Sequence, residues 1–235
     1  MTASQRHLPE AKPVRAATAK SRLDILSAAS ECFKEQGYSA TSIDDVAHRL
    51  RATKGMIYHH FRSKTDLFFE VYRHGMEMNF AKVRPFEAAS FTPLRRLAYM
   101  GYAHAVNMMA EQAYQRTQLQ GITMHQSGAT TAAQRETLLE LVGLRDEFEA
   151  MFRRAVEAAI ESESLPISDS SLAVKNFISV LNSTVFWYSP RGDNIAEEQQ
   201  RLALDVLDYA LRGLGAEPPQ IDMTLVEKIE KEAAS

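Results

Sequence analysis

The chain has 235 residues, 45% hydrophobic and 24% charged, with a formal net charge of −3, the make-up of a soluble globular protein built as one large domain or two unequal ones. One cysteine, Cys32, excludes an intramolecular disulfide and suits a reducing cytoplasm, and no stretch nears the roughly 18 uninterrupted apolar residues of a membrane span. Residues 1–75 carry 12 of the 27 Lys and Arg and 8 of the 30 Asp and Glu, a balance of +4 against −7 for the remainder, and a basic front on an acidic body suits a front that meets a polyanion.

Residues 1–18 combine Pro9, Pro13, small residues and scattered Arg and Lys without a period. They read as a mobile basic arm, with no apolar run of the kind a secretory signal needs. From Ser21 the spacing turns helical. Leu23, Ile25, Leu26, Ala29, Cys32 and Phe33 form one face, with Cys32 a small buried residue, until Gly37 supplies a stop. Thr41 with Asp44 makes a capping box that starts a helix at Ser42, whose buried face is Ile43, Val46, Ala47 and Leu50. Ala52-Thr53-Lys54-Gly55 then interrupts. Thr53 can cap a second short helix carrying Met56, Ile57, Tyr58 and Phe61, and Ser63 with Asp66 caps a third that opens at Lys64.

Further breaks fall near Pro85, at Thr92-Pro93, around Gly128, at Leu165-Pro166 and at Ser189-Pro190-Arg191-Gly192. The segments between them keep a spacing of three to four residues, and strand signals are nearly absent. The chain is therefore expected to be all-α, with about nine helices. A small helix-turn-helix domain spans 19–66, a larger body 67–215 and a tail 216–235. The tail carries Pro218-Pro219 and weak helical character from Met223 to Lys231, compatible with a short appended helix or a frayed end.

Two helices of about eight residues joined by a turn of about four have the dimensions of a helix-turn-helix. Its second helix lies in the DNA major groove, so the residues opening that helix must face outward. Lys54 supplies charge, Gly55 permits close approach and Met56 can touch a thymine methyl. Tyr58 and His59 can donate to phosphate. Ile57 and Phe61 point inward, and His60 fits either side. Similar helix pairs occur in all-α proteins that bind no nucleic acid, so spacing alone leaves both readings open.

The run from Ile25 to Tyr72 carries more than geometry. Phe33, Gly37-Tyr38, Thr41, Ile43, Val46-Ala47, Lys54-Gly55, Tyr58-x-His60-Phe61 and Ser63-Lys64-x-x-Leu67 closely resemble the DNA-binding domain of TetR-family transcriptional regulators over residues 21–72. The resemblance implies a homodimer on double-stranded operator DNA, with a C-terminal domain that binds a small-molecule effector. It also implies DNA contacts at Thr41, Thr53, Lys54, Tyr58, His59 and Lys64. Lys64 fits physically as well, since it opens a helix whose N-terminus attracts phosphate. One departure stands out: the family usually has glycine where this chain has Arg51, at a turn that favours positive φ.

The C-terminal half is less legible. The segment from Ser170 to Tyr188 is apolar nearly all round, and Leu202, Val206, Tyr209 or Ala210, and Gly213 make a seam on the segment from Ile195 to Leu214. Two such helices suit a four-helix dimer contact built from two copies, where the family also places it. Trp187, Tyr188 and Pro190, with Arg191-Gly192, resemble a pattern found in a branch that answers to acyl-CoA thioesters, although Ser183 replaces an expected Trp. Trp187 and Arg191 would suit an adenine ring and phosphates, or serve as plain core and loop residues. Tyr99, Tyr102, His104, Met108, Met124 and Phe177 are candidate pocket walls, although methionines at this spacing equally fill cores. Gln112, Arg116 and Gln118 suit a pocket or a solvated face.

His104 and His125 lack Cys or carboxylate partners at ligand spacing, so neither a metal nor a cofactor is expected. With no Gly-rich phosphate loop, HExxH or G-x-S-x-G elbow, an enzyme is not expected either. The expectation is a cytoplasmic repressor released by an effector, an acyl-CoA thioester or a free hydrophobic or aromatic compound. The alternative is a DNA-binding protein with no effector.

Overall fold

The computed structural model describes residues 12–127, 131–163, 165–191 and 193–234. The segment expected to be an irregular arm lies outside these residues up to position 11, and from Lys12 onward it is helical. Eleven helical segments and no strand occur among the described residues, close to the expected nine. In chain order they are α1 (Lys12–Ala40), α2 (Ile43–Leu50), α3 (Lys54–His60), α4 (Lys64–Ala88), α5 (Pro93–Ala110) and α6 (Gln112–Ser127). There follow α7 (Ala132–Glu163), α8 (Ser170–Asn182), α9 (Thr184–Trp187), α10 (Ile195–Gly213) and α11 (Met223–Ala233). The two extra segments come from breaks at Glu111 and Ser183, where no Gly or Pro marks the sequence.

The head is α1–α3 with the start of α4. Ile25, Leu26, Ala29, Cys32 and Phe33 of α1 are buried, and with them Ile43, Val46, Ala47, Ile57, Phe61, Leu67 and Phe68. Leu23, expected on that face, is exposed. Phe33 packs edge-on to Phe68 at 5.2 Å, and Phe68 meets Tyr38 at 4.9 Å. Truncating so buried a ring to Ala typically costs about 3–5 kcal/mol. Gly37 ends the regular part of α1 with φ 78° and ψ 162°, backbone that a side chain would strain.

One start shifts slightly. The cap of α2 is Ser42, not Thr41: Ser42 Oγ accepts from the Asp45 amide, and the Asp45 carboxylate accepts from the Ser42 amide at 2.8 Å. The Ser63 cap stands as expected, accepting from the Asp66 amide at 3.0 Å. Pro85, expected to break the chain, lies inside α4 one turn before its end, where buried Val83 and Phe86 hold the helix in the core.

The body is arranged around α5, which is buried along most of its length and packs on α4, α7, α8 and α10. Helix α6 lies against both α1 and α4. Small residues let it approach: a Cβ on Gly121 would stand 2.6 Å from the Tyr72 ring, and one on Gly75 2.3 Å from Gln118. The tail is a docked helix. Asp222 caps α11, the Asp222 amide donates to the Tyr99 hydroxyl at 2.9 Å, and Val226 is buried.

Candidate DNA-reading head and effector cavity

The turn between α2 and α3 is closed by a two-bond cap. The Arg51 amide donates to His48 O at 3.0 Å and the Ala52 amide to Ala47 O at 2.9 Å, the Schellman arrangement. Arg51 sits left-handed, with φ 53° and ψ 41°, where a Cβ costs about 1 kcal/mol. The turn therefore keeps its shape with arginine in the glycine position.

Beyond it, α3 presents Thr53, Lys54, Gly55, Tyr58 and His59 to solvent, with Met56 and His60 half-buried. Ile57 and Phe61 are buried, as the spacing implied. Lys54 Nζ donates to Asp44 at 2.8 Å, which raises its pKa while leaving the pair on the surface. Six of the eight residues expected to meet DNA thus lie on one short helix and its cap, five of them exposed and Met56 partly buried against the core.

Thr41 and Lys64 differ from that expectation. Thr41 is buried, and its hydroxyl donates to Gly37 O at 2.8 Å and Cys32 O at 3.2 Å, leaving no exposed donor. The Lys64 ammonium lies 4.4 Å over the Tyr38 ring. It donates to Tyr38 O and Thr41 O at 2.8 Å and to Ser39 O at 3.3 Å. A lysine has three N–H donors, so Lys64 is a clamp on the end of α1, with no donor left for phosphate.

In the body, a cavity of about 320 Å³ opens among α4–α8. Met76, Met108, Leu119, Phe148 and Ile178 form apolar walls; Asn79, His104, Gln115, Gln118 and Asn182 supply polar atoms. Tyr72, Arg145, Glu149, Lys175 and Ser179 complete the lining. Of the residues expected to line a pocket, His104 and Met108 do so, and Gln118, which suited either a pocket or a solvated face, joins them. The His104 ring lies 5.1 Å from Phe148 and 5.8 Å from Phe152, and its Nε2 pairs with Asn182 Oδ1 at 2.8 Å. Burial pushes its pKa down to about 4 against the opposing pull of Asn182, so the ring is neutral at pH 7.

The other expected wall residues lie elsewhere. Tyr99 is buried against Phe91, ring centroids 4.6 Å apart, and holds the tail. Tyr102 is buried outside the cavity, and burial raises its pKa to about 12. Phe177 faces Phe152 and the outer groove between α8 and α10. Trp187 and Arg191 are exposed; Trp187 lines a second outer groove with Tyr209, and the Arg191 amide donates to Glu198. The Met124 and His125 side chains lie outside the described residues. Gln112 and Arg116 serve neither pocket nor solvent. Gln112 donates to Val185 O and Tyr188 O, and Arg116 to Val185 O and Phe186 O, capping α9.

A two-helix reading head on an all-helical body with an internal cavity is the design of a DNA-binding transcriptional regulator. Residues 25–71 match the bacterial regulatory proteins of the tetR family, and residues 91–214 match the tetracyclin repressor-like C-terminal domain; the chain belongs to the TetR family. It is 25% identical to the HTH-type transcriptional repressor KstR2 of Rhodococcus jostii over 79% of this chain and 90% of that one. Identity to the HTH-type transcriptional regulator AcrR of Shigella flexneri is 26%, over 82% and 90% of the two chains. Among solved structures, the TetR-family regulator PfmR of Thermus thermophilus superposes with a TM-score of 0.66 at 29% identity, covering 81% of this chain and 98% of that one. As a TetR-family regulator the chain binds operator DNA, answers to a small-molecule effector and acts as a dimer. No helix among the described residues is long and apolar enough to cross a membrane.

Proposed function

We propose that the protein is a cytoplasmic, non-enzymatic homodimeric repressor that leaves its operator when an amphipathic effector of the acyl-CoA class fills the cavity among α4–α8. The observation that carries this reading is the position of the cavity. Its walls are built on α4 and α6, the helices that also hold the head. The two heads of such a dimer must read DNA about 34–36 Å apart, so a small shift of α4 or α6 weakens binding.

A volume near 320 Å³ accepts an acyl group but not a whole CoA thioester, so the phosphates would lie outside, near Arg145 and Lys175. The Trp187–Arg191 segment has no part in this reading. For the dimer contact, Leu172, Phe186, Trp187 and Tyr209 leave a large apolar area exposed on α8–α10, Tyr209 at 74%, and such an area marks an interface. Lys54 and the exposed rings of α3 would hold the DNA.

The test is fluorescence anisotropy on an operator selected from random duplexes, paired with thermal shift against acyl-CoA thioesters of 4–12 carbons. The reading expects one thioester both to stabilise the protein and to release the duplex. Stabilisation with the duplex still bound, or no response to any thioester, would sink it.

A further inference from the structure

The inner wall of the cavity holds an incomplete hydrogen-bond network. Asn107 Nδ2 donates to Asn79 Oδ1 at 2.8 Å. Asn79 Nδ2 in turn donates to Gln115 Oε1 at 3.0 Å and Gln118 Oε1 at 3.2 Å, and Gln118 Nε2 donates to Gln115 Oε1 at 3.0 Å. Within this network Gln115 Nε2 is buried and has no partner among the described residues. His104 lines the same cavity. Its Nε2–H donates to Asn182 Oδ1, so the neutral ring leaves Nδ1 as an acceptor, and Nδ1 is also unpartnered. Gln115 is 1% and His104 2% exposed.

Two polar atoms this deeply buried and unpaired in one cavity are unusual, and here one donates and the other accepts. A wholly hydrocarbon ligand would leave both unpaired, as they stand without it, and an unmet buried polar group is unfavourable. An alcohol offers both complements, since its O–H donates and its lone pairs accept. The lining also holds Lys175, exposed and without an ion pair among the described residues, and Arg145, which pairs with its neighbour Asp146.

We infer that the cavity is a subsite for a hydroxylated amphiphile: an apolar effector whose hydroxyl reaches Gln115 Nε2 and His104 Nδ1 and whose anionic group lies by Lys175 and Arg145. This rests on the effector-cavity reading above and narrows it to one ligand chemistry. Gln115 and His104 select the hydroxyl, while Lys175 attracts the anion without regard to it.

The experiment uses matched probes, ω-hydroxyalkanoates and plain alkanoates of 8, 10 and 12 carbons, titrated calorimetrically into the full-length protein. One ω-hydroxy acid is expected to bind at least about tenfold more tightly than its plain counterpart. Gln115→Leu and His104→Leu each bring that ratio close to one. Lys175→Ala, at an exposed position that does not threaten folding, weakens both acids alike and keeps the ratio. Equal affinity of the paired acids for the unaltered protein overturns the subsite and leaves the cavity reading standing. A ratio that survives both core variants overturns it as well. If no acid of either kind binds at any length, the subsite is overturned, and the thioester reading stands or falls on its own titration.

Discussion

Gln120 on α6 and Tyr38 at the end of α1 are joined by a hydrogen bond from the Tyr38 amide to Gln120 Oε1 at 3.0 Å. The same side chain returns a bond from Nε2 to Phe33 O at 2.9 Å. Gln120 therefore spans the kink at Gly37 and ties the effector body to the head. Two residues before it, Gln118 lines the cavity, so one turn of α6 touches both.

Gln120→Ala should uncouple the two halves. Loss of two hydrogen bonds costs about 1–3 kcal/mol, and amide exchange at Tyr38 should quicken more than exchange in α5. The decisive reading is the ratio of operator affinities without and with a bound effector, expected to fall several-fold. A ratio equal to that of the unaltered protein would show that α6 signals through α4 alone.

Lys64 and Lys54 should separate cleanly. Lys64→Met removes the clamp on Tyr38 O, Ser39 O and Thr41 O and should lower stability by about 1–3 kcal/mol, with operator binding falling as the end of α1 loosens. Lys54→Ala loses only a surface pair with Asp44. It should leave the melting temperature nearly unchanged and weaken operator binding, reducing the slope of log affinity against log salt by about one. Melting curves and salt titrations of both variants decide the matter. A stable Lys64→Met with a reduced salt slope would restore Lys64 as a phosphate contact.

These two lysines show where sequence reading succeeds and where it stops. The short helices, the exposed α3 face and the Ser63 cap follow from local spacing, which is how Lys54 and Tyr58 could be placed. Thr41 and Ser42 are each followed three residues later by an aspartate, so the pattern alone cannot choose between them. The choice is made by Gly37, whose carbonyl draws the Thr41 hydroxyl inward. The cavity was harder still. Asn79, His104, Gln115 and Asn182 come from four helices, and His104 and Asn182 are 78 positions apart. His104 is among the wall residues expected from sequence, whereas Asn79, Gln115 and Asn182 there resemble residues of a solvated face. Trp187 and Arg191 match a ligand-platform pattern in sequence, but Trp187 at the end of α9 and Arg191 in the loop beyond it are both exposed.

Arg51 tests a backbone compromise. Its φ of 53° is tolerated more readily by glycine, so Arg51→Gly should stabilise the protein by about 1 kcal/mol and raise the melting temperature by about 2–4 °C. Arg51 is exposed in the turn between α2 and α3, three residues before Lys54, so it adds positive charge close to the reading helix. Operator affinity should therefore drop as stability rises. Tighter operator binding by the glycine variant would remove DNA attraction as the reason for arginine there.

His104 ties stability to pH. Its folded pKa is about 4, below the ordinary 6.5, chiefly because burial disfavours the charged ring. Between those values the unfolded chain binds a proton that the folded chain refuses. Stability is thus full above pH 6.5 and is lost as pH falls toward 4, by on the order of 3 kcal/mol in total. Its ring neighbours Phe148 and Phe152 and its partner Asn182 carry no charge that would hold an imidazolium. Denaturant melts from pH 7.5 to 4 should show this decline, and His104→Met, which keeps an apolar side chain of similar volume, should flatten its share. An unchanged pH profile in that variant would mean that exposed carboxylates, not the cavity histidine, set the acid limit of the fold.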